Sequence, residues 1–175
     1  MKIVVIGYSG SGKSTLAKNL GVHYNIPVLH MDSIHFKEGW VERDNIEFET
    51  IVDDFINNNS SWVIDGNYRK IATHRFEEAD QLIFLNYNRF CCLKSVIKRY
   101  IQNKGKSRPD MAEGCNEKLD FPFLWWVFAK GRSKQRKQQL EGFARNHKNS
   151  LIFKNRKELF KYYKENNIQN LTENK

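Results

Sequence analysis

The sequence predicts an α/β fold in which helices cover both faces of a five-stranded parallel sheet, giving three layers. Short apolar runs of strand length alternate along the chain with polar or helical segments. Such alternation is typical of parallel sheets with helical crossovers. The chain has 175 residues, of which 40% are hydrophobic and 13% aromatic, enough for one sizeable core. We therefore expect a single domain over residues 1–175.

Five apolar runs are the predicted strands: residues 2–6, 27–31, 62–64, 82–85 and 151–153. The clearest helix lies between the second and third strands, where an apolar stripe with helical spacing runs from Phe48 to Ile56. Asp44, with Glu47 three residues later, resembles a capping box at its start. Further helices are predicted over residues 14–20, over 90–101, and from about 120 to about 145.

The stretch VVIGYSGSGKST, residues 4–15, fits the phosphate-loop (P-loop) pattern G-x-x-x-x-G-K-[ST] in full. In this motif backbone N–H groups and a helix N-terminus bind phosphate oxygens, the lysine reaches the β and γ phosphates, and the hydroxyl binds Mg²⁺. We therefore predict ATP and Mg²⁺ as ligands, with Lys13 also catalytic. The predicted contacts are Gly7, Ser9, Gly10, Ser11, Gly12, Lys13, Ser14 and Thr15.

Two aspartates follow predicted strands, Asp32 after the second and Asp65 after the third. In open parallel sheets the ligand crevice lies outside the carboxyl ends of the strands, so both should lie beside the phosphate loop. Asp32 is a candidate for orienting or deprotonating an acceptor hydroxyl, and Asp65 for holding Mg²⁺ with Ser14. The alternative for each is a turn aspartate that caps the next helix.

Two segments are candidates for an acceptor site. DGNYRK, residues 65–70, supplies Gly66 for close backbone approach and Arg69 as a bidentate phosphate ligand. LHMDSIHFKEGW, residues 29–40, places His35 and Trp40 near Asp32 as a pocket wall for substrate. The alternative for the second segment is an aromatic loop cluster that binds no ligand.

The positive charge of the chain is concentrated in one region. Residues 94–148 contain fourteen Lys or Arg against five Asp or Glu, so this segment carries a net charge of +9, equal to that of the whole chain. Such a concentration of charge favours a polyanionic partner. We expect a mobile lid over residues 104–120 that brings arginines to a transferred phosphate. Arg108 and Arg132 are predicted as catalytic, Arg136 as substrate-binding, and Arg99 with Arg156 as nucleotide-binding.

The rest of the sequence favours a cytoplasmic protein. Met1 leads directly into a strand without a cleavable signal, and no apolar stretch reaches the roughly 18 residues of a membrane span. We therefore expect no membrane partner. The three cysteines lack zinc-site spacing and are expected to be free thiols. We expect a monomer or homodimer, with a tail that frays after about residue 165.

Taken together, these motifs resemble the phosphate-loop kinase superfamily of adenylate, shikimate and gluconate kinases. Within it the chain is most similar to the bacterial DNA topology modulation (FlaR-like) proteins, through GYSGSGKST, MDSIHF, WVIDGNY, ADQLIFL and SRPDMAEGC. The resemblance implies strand order 2-3-1-4-5, Mg²⁺-ATP as donor and an acceptor site between Asp32 and Asp65. It places Arg69 near an acceptor phosphate. Lys94 and Lys98 stand where the family usually has arginines, which puts bidentate contacts there in doubt.

Three functions remain open from the sequence. The first is a phosphotransferase that moves the γ-phosphate of ATP to a small acceptor. The second is a DNA-associated protein that uses nucleotide binding as a switch, although no helix-turn-helix, zinc finger or RNA-stacking motif is evident in the sequence. The third is a plain ATPase.

Overall fold

A computed structural model of the chain describes residues 1–108 and 110–171. Five parallel strands form the main sheet: β1 Lys2–Gly7, β2 Val28–His30, β3 Trp62–Asp65, β4 Gln81–Leu85 and β5 Ser150–Phe153. Their spatial order is β2-β3-β1-β4-β5. The predicted α/β class is confirmed, and each predicted strand is present within one or two residues of its expected bounds.

Helices cover both faces of the sheet: α1 Lys13–Tyr24, α2 Met31–His35, α3 Asn45–Asn58, α4 Arg75–Glu78, α5 Arg89–Asn103, α6 Phe121–Phe128, α7 Lys134–Asn146 and α8 Arg156–Glu165. A two-stranded hairpin, Phe36–Lys37 with Val41–Glu42, lies outside the main sheet. Its strands were not predicted. If they are counted along the chain, the main-sheet order becomes 2-5-1-6-7 instead of 2-3-1-4-5.

Central β1 pairs with β3 on one side and with β4 on the other. Its residues Ile3 to Ile6 are fully buried, because helices pack on both faces of the sheet. The loop that follows β1 therefore begins at the middle of the carboxyl edge. This position brings the phosphate-loop motif next to the ends of β2 and β3, which carry His30 and Asp65.

The start of α3 is capped as predicted, although only half of the capping box forms. The Asp44 carboxylate accepts hydrogen bonds from the Ile46 and Glu47 backbone N–H groups. Glu47 does not reach back to Asp44; it forms ion pairs with Arg43 and Lys37. Glu47 thus pairs with two charged side chains and not with the Asp44 backbone N–H, which it would bind in a complete capping box.

The single helix expected from about residue 120 to 145 is wrong. The chain forms α6, a 3₁₀ turn over Lys130–Arg132, and then α7 with Ser133 as its N-cap. The turn at Gly131 packs so tightly that a Cβ there would lie 2.8 Å from the Trp126 carbonyl oxygen. Only glycine fits this close approach, and the break turns the start of α7 toward the pocket described below.

Two further expectations concern the ends and the thiols. Ile168, beyond α8, is 5% exposed and belongs to the core, so the tail packs at least to this residue instead of fraying from about 165. Residues 172–175 lie outside the described part of the chain.

All three cysteines are free, and Cys92 and Cys115 are buried. None of the helices in the described ranges has the length and apolar character that a bilayer-spanning segment needs.

Candidate active site

The phosphate loop curls through backbone conformations that only glycine adopts easily. Gly10 and Gly12 have φ of 78° and 94°. A Cβ at Gly10 would lie 2.5 Å from the Cys92 carbonyl oxygen. Gly12 caps α1, which begins at Lys13. The loop thus ends at a helix N-terminus whose free N–H groups favour anions.

Asn67 fixes the start of this loop from the neighbouring strand connection. Its Oδ1 accepts a hydrogen bond from the Gly7 N–H at 3.0 Å, and its Nδ2 donates to the Gly7 carbonyl at 2.6 Å. The sequence analysis did not single out Asn67, although it lies inside the quoted DGNYRK segment. In the sequence, its position directly after Gly66 was the only feature that pointed to a functional role for Asn67.

Ser14 and Asp65, the two residues predicted to hold Mg²⁺, contact each other. The Ser14 hydroxyl donates to Asp65 Oδ2 at 2.9 Å, and His30 Nδ1 lies 2.5 Å from Asp65 Oδ1. The second contact follows from the sheet, because His30 and Asp65 are register partners between β2 and β3. Burial by itself lowers the pKa of His30, but the hydrogen bond and charge of Asp65 outweigh it and raise this pKa.

A hydroxyl and a carboxylate are hard oxygen ligands of the kind that Mg²⁺ prefers. Ser14 and Asp65 therefore fit the predicted metal role. Within the described residues, no cluster of three or more His, Cys, Asp or Glu side chains is arranged to hold a metal ion by itself. Ser11, in the same loop, has a buried hydroxyl without a hydrogen-bond partner among the described residues.

A pocket of about 970 Å³ opens beside the phosphate loop. It contains Lys13, whose Nζ donates to the Tyr8 carbonyl at 3.4 Å. The other predicted site residues that line it are Ser9, Asp32, Gly66, Arg69, Arg132 and Arg136. One cavity thus joins the phosphate loop, the candidate acceptor aspartate and three arginines.

Asp32 is exposed to this pocket and held by Tyr68. The Tyr68 hydroxyl donates to Asp32 Oδ1 at 2.7 Å. Burial, together with the charge of Asp32, raises the pKa of Tyr68, so this phenol remains a donor. Tyr68 belongs to a loop that the fully buried Arg75 fixes, through hydrogen bonds to the carbonyls of residues 68, 71 and 72.

Arg69 and Arg136 both line the pocket. Burial and the charge of Arg136 both lower the pKa of Arg69. No carboxylate pairs with either arginine among the described residues, and Arg136 stacks on the Trp126 ring at 4.3 Å. Two unpaired guanidinium groups in one cavity create a site that favours an anion.

Arg132 also reaches the pocket, but protein atoms already occupy its donors. It donates to the carbonyls of Tyr87 at 2.8 Å and Val127 at 3.2 Å, and to Cys92 Sγ at 2.9 Å. Its guanidinium lies 3.8 Å from the Tyr8 ring centroid. The catalytic role predicted for Arg132 requires it to exchange these partners for a ligand.

Arg99, on α5, and Arg108, in the predicted lid segment, lie outside this pocket. Arg99 donates to Glu117 Oε1 at 2.8 Å, Arg108 pairs with Glu117 Oε2 at 2.6 Å, and Arg108 also pairs with Asp110 at 2.8 Å. The Glu117 side chain is only 2% exposed. The basic charge expected at the pocket is thus partly neutralised by Glu117, because this buried carboxylate attracts both guanidinium groups. Neither Arg99 nor Arg108 lines the pocket.

Residues 115 and 116, in the predicted lid segment, contact the hairpin that contains Trp40. Trp40 Nε1 donates to the Asn116 carbonyl at 3.1 Å, and the Cys115 thiol donates to the Lys37 carbonyl at 3.3 Å. His35 packs among the rings of Phe36, Phe48 and Tyr68. The structure thus does not place His35 or Trp40 on the pocket wall, because they fill aromatic and lid contacts instead. Arg156 is also outside the pocket and donates to Ser95 Oγ at 2.8 Å.

No protein-family model and no curated protein matches the sequence. Solved structures do match. A deoxyadenosine kinase from M. mycoides with dCMP and dCDP bound has a TM-score of 0.53 and 14% identity, covering 94% of this chain and 97% of that one. A shikimate kinase from Bacteroides thetaiotaomicron has a TM-score of 0.50 and 15% identity, covering 88% and 86%. This chain has the fold of the P-loop kinases.

An uncharacterized protein from Eubacterium ventriosum gives a similar match, with a TM-score of 0.51, 17% identity and coverage of 97% of this chain and 100% of that one. At such identities the likeness shows the fold alone. None of these three structures is named as a DNA topology modulation protein, so that part of the resemblance stays a prediction from the sequence.

Proposed function

We propose that this chain is a phosphotransferase that moves the γ-phosphate of ATP to a small acceptor carrying an anionic group. The observation that supports it best is the single pocket that contains Lys13 together with Asp32, Arg69 and Arg136. A plain ATPase needs only Lys13 among these residues. An acceptor site accounts for Asp32, Arg69 and Arg136 as well.

The residues take the following roles in this proposal. Lys13 and the phosphate-loop N–H groups bind the β and γ phosphates and stabilise the charge of the transferred group. Asp32, oriented by Tyr68, accepts the proton of the acceptor hydroxyl as its oxygen attacks. Arg69 and Arg136 hold the anionic group of the acceptor. Mg²⁺, which would be bound by Ser14 and Asp65, supplies neutralisation of the phosphate charge.

A panel of acceptors tests the proposal. The full chain with Mg²⁺-ATP is mixed with nucleosides, nucleoside monophosphates and small hydroxy acids, and ADP release is measured. We expect a class with an anionic group to raise ADP release more than the neutral nucleosides do, and Asp32→Asn to lower kcat by about 10²- to 10⁴-fold for an acceptor that reacts through a hydroxyl. Asp54→Asn, at an exposed position on α3, is the matched control and keeps the activity. The proposal fails if no acceptor raises turnover above that of Lys13→Ala.

Salt dependence separates this function from the DNA-associated alternative. A protein that grips the phosphate backbone loses DNA affinity by orders of magnitude over a few-fold increase in salt. Arg99 and Arg108 already pair with Glu117, which leaves fewer free cations for such a surface. We expect no measurable binding of duplex DNA at physiological salt.

A further inference from the structure

The outer surfaces of α5 and α6 carry five large apolar side chains in contact with solvent. On α5 these are Phe90, Ile97 and Ile101, and on α6 they are Phe121 and Trp125; their exposed fractions run from 38% to 77%. The spacings of seven and four residues on α5, and of four on α6, place each set on one side of its helix. Trp126, the next residue on α6, lines the pocket instead.

The two helices pack against each other and run in opposite directions, which indicates that the two sets lie on the same side of the pair. The rings of Phe90 and Phe128 have centroids 5.7 Å apart, and the Arg99 guanidinium lies 6.0 Å from the Phe123 ring. This register brings Ile97 level with Trp125, and Ile101 level with Phe121. We call the surface formed by the five side chains the α5–α6 face.

The α5–α6 face is large for a surface that stays in water. With about 200 Å² for each large side chain, the exposed fractions amount to about 600 Å² of apolar area. The largest apolar patch of a typical monomer covers about 300 to 600 Å² and is often functional. A face of this size therefore favours a partner.

The charged residues around the α5–α6 face favour an anionic partner over a second copy of the chain. Arg89, Lys94 and Lys98 are exposed on α5, and the Arg89 guanidinium lies 5.1 Å from the Phe128 ring. Neither α5 nor α6 contains an Asp or Glu, and the exposed Asp120 at the N-cap of α6 is the acidic residue that directly precedes the face. A second copy of the chain would bring two cationic rims together, whereas an anionic surface would neutralise them.

We propose that the α5–α6 face docks on an anionic lipid surface. The aromatic and isoleucine side chains enter the headgroup region, and Arg89, Lys94 and Lys98 contact lipid phosphates. This departs from the expectation of no membrane partner, which rested only on the lack of a spanning segment. The docking is independent of the proposed kinase activity.

Co-sedimentation with vesicles tests the proposal without any assay of activity. The full chain is mixed with vesicles of phosphatidylcholine alone or with 30% phosphatidylglycerol (about a third anionic lipid, chosen as a strong negative surface). We expect binding to the anionic vesicles only, weakened by added salt. Phe121→Ala with Trp125→Ala, and separately Lys94→Glu with Lys98→Glu, should each lower the partition coefficient by about tenfold or more.

Matched controls lie on other helices. Ile46→Ala removes an equally exposed apolar side chain from α3, and Lys157→Glu with Lys164→Glu reverses two exposed lysines on α8; both should bind like the parent. Trp125→Phe keeps an aromatic ring and should bind, while losing most of the blue shift of tryptophan fluorescence on vesicles.

Two outcomes overturn the proposal. One is equal binding by the parent and both face variants. The other is no binding to anionic vesicles; in that case light scattering of the parent and of Phe121→Ala with Trp125→Ala shows whether the face joins two copies of the chain.

Discussion

Asn67 holds Gly7 by both of its backbone polar groups, accepting from the N–H at 3.0 Å and donating to the carbonyl at 2.6 Å. The two residues are sixty positions apart in the chain. Asn67 is followed by Tyr68 and Arg69, which lie in the pocket. The acceptor side of the pocket is thus joined directly to the first residue of the phosphate loop.

Asn67→Ala should destabilise the protein and weaken nucleotide binding. It leaves one N–H and one carbonyl of the loop without partners, which costs about 1–3 kcal/mol. Urea denaturation and calorimetric titration with Mg²⁺-ATP measure the two effects. Asn58→Ala, at the exposed end of α3, is the control. Unchanged stability and affinity in Asn67→Ala would show that the loop holds its shape without this contact.

Glu117→Gln should loosen the lid. The substitution removes the charge shared by Arg99 and Arg108 and leaves two guanidinium groups without a carboxylate at this position. We expect the free energy of unfolding to fall by about 2 kcal/mol and amide hydrogen exchange in residues 104–120 to become faster. Glu113→Gln, exposed in the same segment, should do neither. Equal rates of amide hydrogen exchange in both variants would show that Glu117 does not hold this segment through Arg99 and Arg108.

Inorganic phosphate should stabilise the protein through Arg69 and Arg136. At ten times its dissociation constant, an anion bound there raises the melting temperature by about 3–6 °C for a chain of this size. The shift should persist in Lys13→Ala, which disables the phosphate loop, and disappear in Arg69→Gln with Arg136→Gln. The control pair Lys157→Gln with Lys164→Gln should keep it. A shift that survives loss of both pocket arginines would place the anion elsewhere.

Alkaline pH should destabilise the fold through buried tyrosines. Burial raises the pKa of Tyr162 and of Tyr163 to about 12, whereas the unfolded chain loses these protons near pH 10. The folded state therefore binds more protons between pH 10 and 12, so its stability falls as pH rises through that window. The buried Arg75, with its pKa lowered to about 10, raises the stability of the folded state over the same pH window. It is one group against the two tyrosines, so the net effect is a loss of stability.

Urea unfolding between pH 8 and 12 measures this slope. Each of the two tyrosines contributes at most about 1.4 kcal/mol per pH unit. Tyr163→Phe should reduce the slope above pH 10 and leave the slope between pH 8 and 9 unchanged. A slope that is the same in the parent and the variant would mean that Tyr163 titrates alike in the folded and unfolded chains.

Local patterns predicted the strands well, because buried parallel strands are continuous apolar runs whatever lies beside them. They failed at residues 129–133, where a tight contact between Gly131 and Trp126 breaks the expected long helix. They also failed for His35 and Trp40. An aromatic residue near a predicted site has the same local sequence whether it lines a pocket or packs against a lid.

By itself, the sequence determined the phosphate loop, the strand that precedes Asp32 and the strand end that carries Asp65, because glycine spacing and apolar runs act within a few residues. Only the tertiary structure decided how the charges are shared. Glu117 takes up Arg99 and Arg108, while Arg69 and Arg136 remain without a carboxylate among the described residues and share one pocket. Electrostatic energy depends on distance in space and on burial, and a count of charges along the chain contains neither.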